Sequence, residues 1–275
     1  MTSTILHPCN GYGQLGVREA SSGDQAEPLV LIHGVGMQSA AWQPQIDYFA
    51  KTHHVYAIDM PGHGESTALA EGASLPDFIA WLDAVLDCLN LPQTNLVGHS
   101  MGALITGGYV ACHRERVLRA ALVNGVYCRN DAAKEAVTAR AQQIRQGKID
   151  LETPLKRWFS DSPSDQISSQ LVRTWLQQVN LQGYATAYMA FARGDDCYGK
   201  DFQQANCPVL AITGSDDPNS TPAMSTSIAR LAKNGKAVVV DGHRHMINIT
   251  APERVNAELT RWLATPIETA TSTGD

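Results

Sequence analysis

One short segment limits the possible folds of this chain more than any other. The apolar pair Leu96-Val97 leads into Gly98-His99-Ser100-Met101-Gly102, and a run of small residues with helical character follows. A strand that turns through G-x-S-x-G into a helix is typical of a nucleophile elbow, in which the serine hydroxyl projects from a strained turn. Glycine is expected on both sides of Ser100 because a Cβ there would clash in so sharp a bend. The pattern alone arises by chance in roughly one chain of this length in ten, so other segments must supply partners for the serine.

Short apolar segments alternate with segments of helical periodicity along most of the chain. Strands are predicted at residues 28–32, 55–58, 120–123, 208–212 and 237–240, with a weaker first strand at 11–19. Helices are predicted at residues 40–50, 76–89, 222–232 and 252–263, and directly after the elbow. This alternation favours βαβ units, and therefore an α/β fold with a doubly wound, mostly parallel sheet covered by helices on both faces. Leu29-Val30-Leu31-Ile32 is apolar throughout, which fits a strand buried on both sides.

Residues 130–203 interrupt the alternation. They are rich in Arg, Gln, Asp and Ala, and they have helical spacing but little strand pattern. We therefore predict a helical lid at 130–203, inserted into an α/β core made of residues 1–129 and 204–275. Such a lid would shape the substrate pocket and exclude water from it.

Composition narrows the classes of partner. Hydrophobic residues make up 44% and charged residues 17% of the 275 residues, which is enough for a large packed core. The net charge of −6 and the lack of a basic cluster argue against a nucleic acid or an anionic membrane as partner. With no apolar stretch near 18 residues and no recognisable signal peptide, a cytoplasmic protein is expected. The six cysteines lack C-x-x-C spacing, so no metal site is expected. The expected partner is a small-molecule substrate, and the sequence does not indicate an oligomeric state.

A serine nucleophile needs a base, a carboxylate that orients the base, and donors for the developing oxyanion. In a doubly wound sheet these groups lie at the carboxyl ends of strands, in the chain order serine, acid, histidine. The predicted strand at 208–212 is followed by Asp216 and Asp217, and the strand at 237–240 is followed by His243 and His245. The residues alone leave both pairs open.

Taken together, these segments resemble the α/β-hydrolase family along nearly the whole chain. The matching segments are His33-Gly34, residues 59–66, Gly98-His99-Ser100-Met101-Gly102, Gly214-Ser215-Asp216-Asp217 and residues 245–252. In that family the acid lies three residues after the glycine that ends its strand, which implies Asp217. The base precedes a proline by seven residues, which implies His245. Some members carry the acid after the strand that follows the elbow helix, but Val123-Asn124-Gly125-Val126 has no carboxylate at that place.

The same resemblance implies that the backbone N–H groups of Val35 and Met101 form the oxyanion hole and that no cofactor is required. Among the remaining histidines, His33 is expected to brace its loop and His63 to be structural. His99 is expected to line the pocket without acting as a base.

The lid contains the candidate substrate-binding residues Arg157, Trp158 and Arg193. A buried arginine that faces the pocket would bind a substrate carboxylate through two parallel hydrogen bonds. The regions Arg157-Trp158-Phe159 and Gly183-Tyr184 resemble the lid of 3-oxoadipate enol-lactonases. The chain also resembles the hydrolases that cleave amide or formamide bonds in ring-opened N-heterocycles.

These features predict a serine hydrolase that cleaves an ester, enol-lactone or amide bond of a small, carboxylate-bearing catabolic intermediate through an acyl-enzyme. The alternatives are a C–C bond hydrolase or a cofactor-free haloperoxidase on the same triad, and a ligand-binding receptor that retains the fold. Dehalogenases and epoxide hydrolases carry aspartate at the nucleophile position, so Ser100 argues against them.

Overall fold

The computed structural model describes residues 3–21, 23, 26–195 and 199–267. Within these residues the strands are β1 (Thr4–Cys9), β2 (Gly13–Ala20), β3 (Pro28–Ile32), β4 (His54–Ile58), β5 (Thr94–His99), β6 (Val117–Val123), β7 (Val209–Gly214) and β8 (Gly235–Val240). The helices of the same residues are α1 (Gln43–Phe49), α2 (Leu75–Cys88), α3 (Met101–Cys112), α4 (Asp131–Arg145), α5 (Glu152–Trp158), α6 (Pro163–Gln178), α7 (Leu181–Arg193), α8 (Gly199–Phe202), α9 (Pro222–Leu231), α10 (Ile247–Thr250) and α11 (Pro252–Leu263).

The strands form one mixed sheet in the order β1-β2-β4-β3-β5-β6-β7-β8. The run from β4 to β8 is parallel, whereas β1 and β2 are antiparallel to their neighbours. Since the carboxyl ends of parallel strands meet along one edge, the residues that follow β3, β5, β6 and β7 are brought together there. The prediction of a doubly wound, mostly parallel α/β sheet is confirmed.

Each face of the sheet has its own hydrophobic core. On one face, Val30 and Ile32 of β3 pack in a cluster that also contains buried residues of α2, α3 and α9. On the other face, Leu29 and Leu31 of the same strand join a cluster with buried residues of α1, α10 and α11. Burial of all four side chains confirms the prediction that this strand is covered on both sides.

The amino-terminal hairpin departs from the prediction. A single weak strand was expected at residues 11–19, but the chain forms β1 and β2, which pair antiparallel from Thr4 opposite Arg18 to Cys9 opposite Gly13. The physical reason is that β1 lies at the edge of the sheet, where Ile5 and Leu6 are more than two-fifths exposed. An edge strand covers little apolar surface, so its sequence lacks the continuous apolar run of the central strands.

Helices α4 to α7 lie between β6 and β7, within the segment predicted as a lid. Their buried aromatic residues belong to the same core cluster as α2 and α3, so they pack on that side of the molecule. The division into a core and a lid stays a prediction. None of the helices in the described ranges is long and apolar enough to cross a bilayer.

Candidate active site

The turn between β5 and α3 has the geometry of a nucleophile elbow. Ser100 has φ 54° and ψ −110°, a conformation that is strained for a residue with a side chain. Its backbone N–H donates to the carbonyl oxygen of Val123 at 2.9 Å, which fixes the turn against β6. A Cβ at Gly98 would overlap the carbonyl oxygen of Gly102, and a Cβ at Gly102 would overlap that of Ile32. The expected steric need for both glycines is therefore confirmed.

Ser100, His245 and Asp217 form a continuous chain of hydrogen bonds. The Ser100 Oγ lies 3.1 Å from His245 Nε2, and His245 Nδ1 lies 2.8 Å from Asp217 Oδ2. All three residues are at most 4% exposed. With Nδ1–H donating to the carboxylate, Nε2 is left as the acceptor for the serine proton, which is the arrangement that a general base requires.

The surroundings of Asp217 keep this carboxyl ionised. Burial raises its pKa, but the facing imidazole of His245 and several hydrogen bonds outweigh burial and hold the pKa below its usual value. Oδ1 accepts the backbone N–H groups of Asn219 at 2.8 Å and Ser220 at 3.1 Å, and Oδ2 accepts Nδ2 of Asn124 at 2.7 Å. The neighbouring Asp216 is bound instead by the hydroxyl of Ser215 and does not reach the histidine.

The loop after β3 lies directly against Ser100, the candidate nucleophile. A Cβ added to Gly34 would be 3.2 Å from the Cβ of Ser100. The next residue, Val35, therefore starts beside Ser100. In the described part of the chain, neither the Val35 nor the Met101 N–H donates a hydrogen bond to the protein. Two uncommitted N–H groups beside a nucleophile fit the requirement for an oxyanion hole.

Two buried histidines hold this loop. His33 donates from Nδ1 to the carbonyl oxygen of Gly34 at 2.8 Å and accepts the Met60 N–H on Nε2 at 2.9 Å. His63 accepts the Gly36 N–H on Nε2 at 2.9 Å, while its Nδ1 donates to a carbonyl oxygen. Burial lowers the pKa of His33 to about 4 and that of His63 to about 3, so both rings are neutral near pH 7. The prediction that His33 braces its loop is confirmed.

His99 contacts His245, the candidate base. Its Nε2 donates to the backbone carbonyl oxygen of His245 at 2.9 Å, and the two ring centroids are 5.1 Å apart. Burial, with a smaller contribution from the charge of His245, lowers the pKa of His99 to about 3. The ring is therefore a neutral donor that positions the backbone of His245.

Aromatic residues of α5 and α7 cover the site. The indole of Trp158 stacks on the imidazole of His245, with centroids 5.8 Å apart and planes inclined by 29°. Tyr184 contacts the loop after β3, because a Cβ at Gly36 would lie 3.0 Å from its ring. Tyr188 packs edge-on against Tyr184 at 5.6 Å, and Phe191 packs in the same way against Tyr188 at 5.9 Å. We call Tyr184, Tyr188 and Phe191 the aromatic row of α7.

The two predicted arginines are placed differently. Arg157 is exposed on α5, but it is close enough to Tyr188 for its charge to affect that hydroxyl. Arg193 is also exposed and lines a cavity of about 790 Å³ between α7 and the start of α2, together with Arg145 and Met189. Ser100, Asp217 and His245 do not line this cavity, so the structure does not bring Arg193 to the candidate nucleophile.

Some contributors to the site were not predicted from the sequence. Arg129 lies 4.2 Å above the ring of Phe191, and Arg140 lies 5.8 Å from the centroid of Tyr188. At Asn124 the sequence showed only the lack of a carboxylate, and it indicated no role for Arg244. Each contacts a residue tens of positions away along the chain, so no local pattern could have identified it. Among the described residues, no group of three His, Cys, Asp or Glu side chains is arranged to hold a metal ion.

Residues 29–258 match the model of the alpha/beta hydrolase family. The chain is 53% identical over 241 residues to the (E)-2-((N-methylformamido)methylene)succinate hydrolase of Acinetobacter baylyi, an alignment that covers 88% of this chain and 92% of that one. It is 32% identical over 240 residues to 3-oxoadipate enol-lactonase 2 of the same organism, with 83% and 85% covered.

Among solved structures, the enol-lactonase from Burkholderia xenovorans LB400 superposes with a TM-score of 0.85. The match covers 95% of this chain and all of that one at 24% identity, so it supports the fold alone.

Proposed function

The chain belongs to the alpha/beta hydrolase family, and we propose that it is a serine hydrolase which cleaves the formamide bond of a small dicarboxylate through an acyl-enzyme. The observation that carries the proposal is the hydrogen-bonded relay from Ser100 through His245 to Asp217, buried at the carboxyl ends of the parallel strands. The choice of bond is supported by the relative that is 53% identical, which is named as a hydrolase of a substituted formamide of succinate.

In the proposed reaction, Ser100 Oγ attacks the formyl carbon while His245 Nε2 takes the hydroxyl proton. The carbonyl oxygen becomes an oxyanion, which the N–H groups of Val35 and Met101 stabilise. The C–N bond then breaks as His245 protonates the leaving nitrogen, and a formyl-serine remains. Water attacks this ester with His245 again as base, releasing formate and restoring the serine.

Positive charges around the aromatic row support an anionic substrate. Burial raises the pKa of the Tyr188 hydroxyl, and three guanidinium groups oppose that rise, those of Arg140, Arg129 and Arg157. Arg140 is partly neutralised by Asp150, whose carboxylate is 3.7 Å away, and Arg129 by the buried carboxylate of Asp195 at 3.6 Å. Guanidinium groups beside a buried, largely apolar site would favour a substrate that carries carboxylates.

An assay of formate release tests the bond. The purified protein is supplied with (E)-2-((N-methylformamido)methylene)succinate and, separately, with 3-oxoadipate enol-lactone, the compound class of the 32% identical relative. We expect stoichiometric formate from the first compound, and for Ser100→Ala a kcat lower by about 10⁴ to 10⁶. Ser227→Ala, at a half-buried serine of α9 whose hydroxyl donates to the carbonyl oxygen of Ala223 in the same helix, is the control and should keep the wild-type rate.

Faster turnover of the lactone than of the formamide would overturn the choice of bond while leaving the serine mechanism intact. Full activity of Ser100→Ala on either compound would overturn the mechanism itself.

A further inference from the structure

The residue before the candidate base ties the lid to the catalytic loop. Nη1 of Arg244 donates to the carbonyl oxygens of Lys156 and Phe159, each at 2.7 Å. These carbonyls belong to the last turn of α5 and its C-cap, where helix carbonyl groups have no partner within the helix. A cation in this position satisfies them and interacts favourably with the negative end of the helix dipole.

Trp158 lies between the two residues that Arg244 binds. Its indole is buried and faces the imidazole of His245 at 5.8 Å. Because Arg244 is covalently joined to His245, a single side chain fixes the indole relative to the imidazole. Leu155 and Phe159 are buried on either side of Trp158, so the last turn of α5 packs in one arrangement.

We propose that Trp158 is a catalytic residue whose indole face stabilises the imidazolium formed on His245, and that Arg244 is the positioning residue which holds it there. The proposal rests on the proposed function, in which His245 takes the Ser100 proton. When that proton reaches Nε2, the ring becomes a cation within about 6 Å of an indole face, a distance at which the ring quadrupole attracts it. The attraction is absent before proton transfer, so it lowers the barrier instead of tightening substrate binding.

The other groups that face His245 do not replace this contribution. The carboxylate of Asp217 binds the opposite nitrogen, and His99 presents a neutral ring. The guanidinium of Arg244 disfavours a second cation nearby, although two carbonyl oxygens partly offset its charge. Arg157, on the same turn as Trp158, is exposed and screened by water.

The test measures the titration of the His245 imidazole by NMR, alongside kcat and KM as functions of pH. In Trp158→Leu we expect the titration midpoint to fall by about half a pH unit to one unit, kcat to fall about tenfold, and KM to change little. Arg244→Met should move the midpoint in the same direction, and Arg244→Lys should restore it. If Arg244 acted only through its charge, its removal would favour the imidazolium and move the midpoint upward. The two explanations therefore predict opposite signs.

Arg173→Met is the matched control. Arg173 binds Glu152 at the other end of α5 through two hydrogen bonds and does not contact the base, so its loss loosens the helix without moving the titration. The double variant Trp158→Leu/Arg244→Met should titrate as Trp158→Leu does. An unchanged midpoint in Trp158→Leu, additive shifts in the double variant, or an equal shift in Arg173→Met would overturn the proposal. Because the NMR titration does not require turnover, a failure of the proposed substrate would be recognised separately.

Discussion

At the scale of single residues, the clearest case is Asn124, which occupies the place where some α/β hydrolases carry the triad acid. Its backbone has φ 46°, and its Nδ2 donates to Asp217 Oδ2 at 2.7 Å and to the Thr213 hydroxyl at 3.2 Å. A second carboxylate at this position would repel Asp217, and the two could not both be ionised. An amide instead helps to keep Asp217 charged.

Asn124→Gly isolates this contribution, because glycine accepts a positive φ without strain and lacks the amide. A hydrogen bond to a charged group contributes about 1.5–3 kcal/mol, so kcat/KM is expected to fall about 10-fold to 100-fold. The pKa of Asp217, no longer held down by this donor, should rise. Asn90→Gly, at a remote residue with φ 55°, is the control and should leave kcat/KM unchanged.

The spacing implied by the resemblance to α/β hydrolases was enough to select Asp217 over Asp216 and His245 over His243 as candidates, and the hydrogen bonds join those two residues. It was not enough for Asn124, whose partner lies 93 positions away and is met only when β6 and β7 pair. Local motifs constrain the residues that follow a strand, whereas contacts between strand ends depend on the register of the whole sheet.

At the scale of elements, the central strands and the helices that cover them could be predicted because burial requires a continuous apolar run or a regular apolar face. The edge strand β1 has neither, and its prediction failed for that reason. The sequence predicted that residues 130–203 are helical. It did not predict which face of α7 lies toward the site. Arg193 and Tyr184 are on the same helix, yet one lines the outer cavity and the other contacts the loop after β3.

Helix α7 presents the aromatic row to the site, so a substitution in its first turn should weaken the pocket without replacing a residue of that row. Asn180 caps the helix, and its side chain accepts the Gly183 N–H at 2.9 Å. Asn180→Ala should lower the free energy of unfolding by about 1 kcal/mol and raise KM severalfold, because Tyr184 follows directly. Denaturation in urea and steady-state kinetics measure the two effects.

Asp77→Ala is the control for this variant, because it removes the capping carboxylate of α2, a helix of the core. It should cause a similar loss of stability without a change in KM. A rise in KM of the same size in both variants would contradict a specific role of α7.

At the scale of the whole molecule, three neutral histidines lie at the sheet edge that carries Ser100, Asp217 and His245. His33, His63 and His99 are each at most 2% exposed, and each has a pKa lowered first of all by burial. His33 and His63 each accept a backbone N–H on Nε2, and a second proton on that nitrogen would disrupt the hydrogen bond. The geometry of the candidate oxyanion loop and the stability of the fold therefore depend on the same protonation state.

Stability is accordingly expected to decrease in mild acid. In the unfolded chain these histidines take up protons near pH 6.5, whereas in the folded chain His33 does so only near pH 4 and the other two near pH 3. Between these limits the unfolded state binds more protons, so the free energy of unfolding falls as pH falls, by up to about 1.4 kcal/mol per pH unit for each histidine. Above pH 6.5 this contribution is complete and constant.

Urea denaturation at intervals from pH 7.5 to 4.5 measures how steeply the free energy of unfolding depends on pH. His63→Gln keeps an acceptor for the Gly36 N–H but cannot titrate, so it should reduce this slope by close to one proton. A slope that stays the same in His63→Gln would mean that other groups cause the loss of stability in acid.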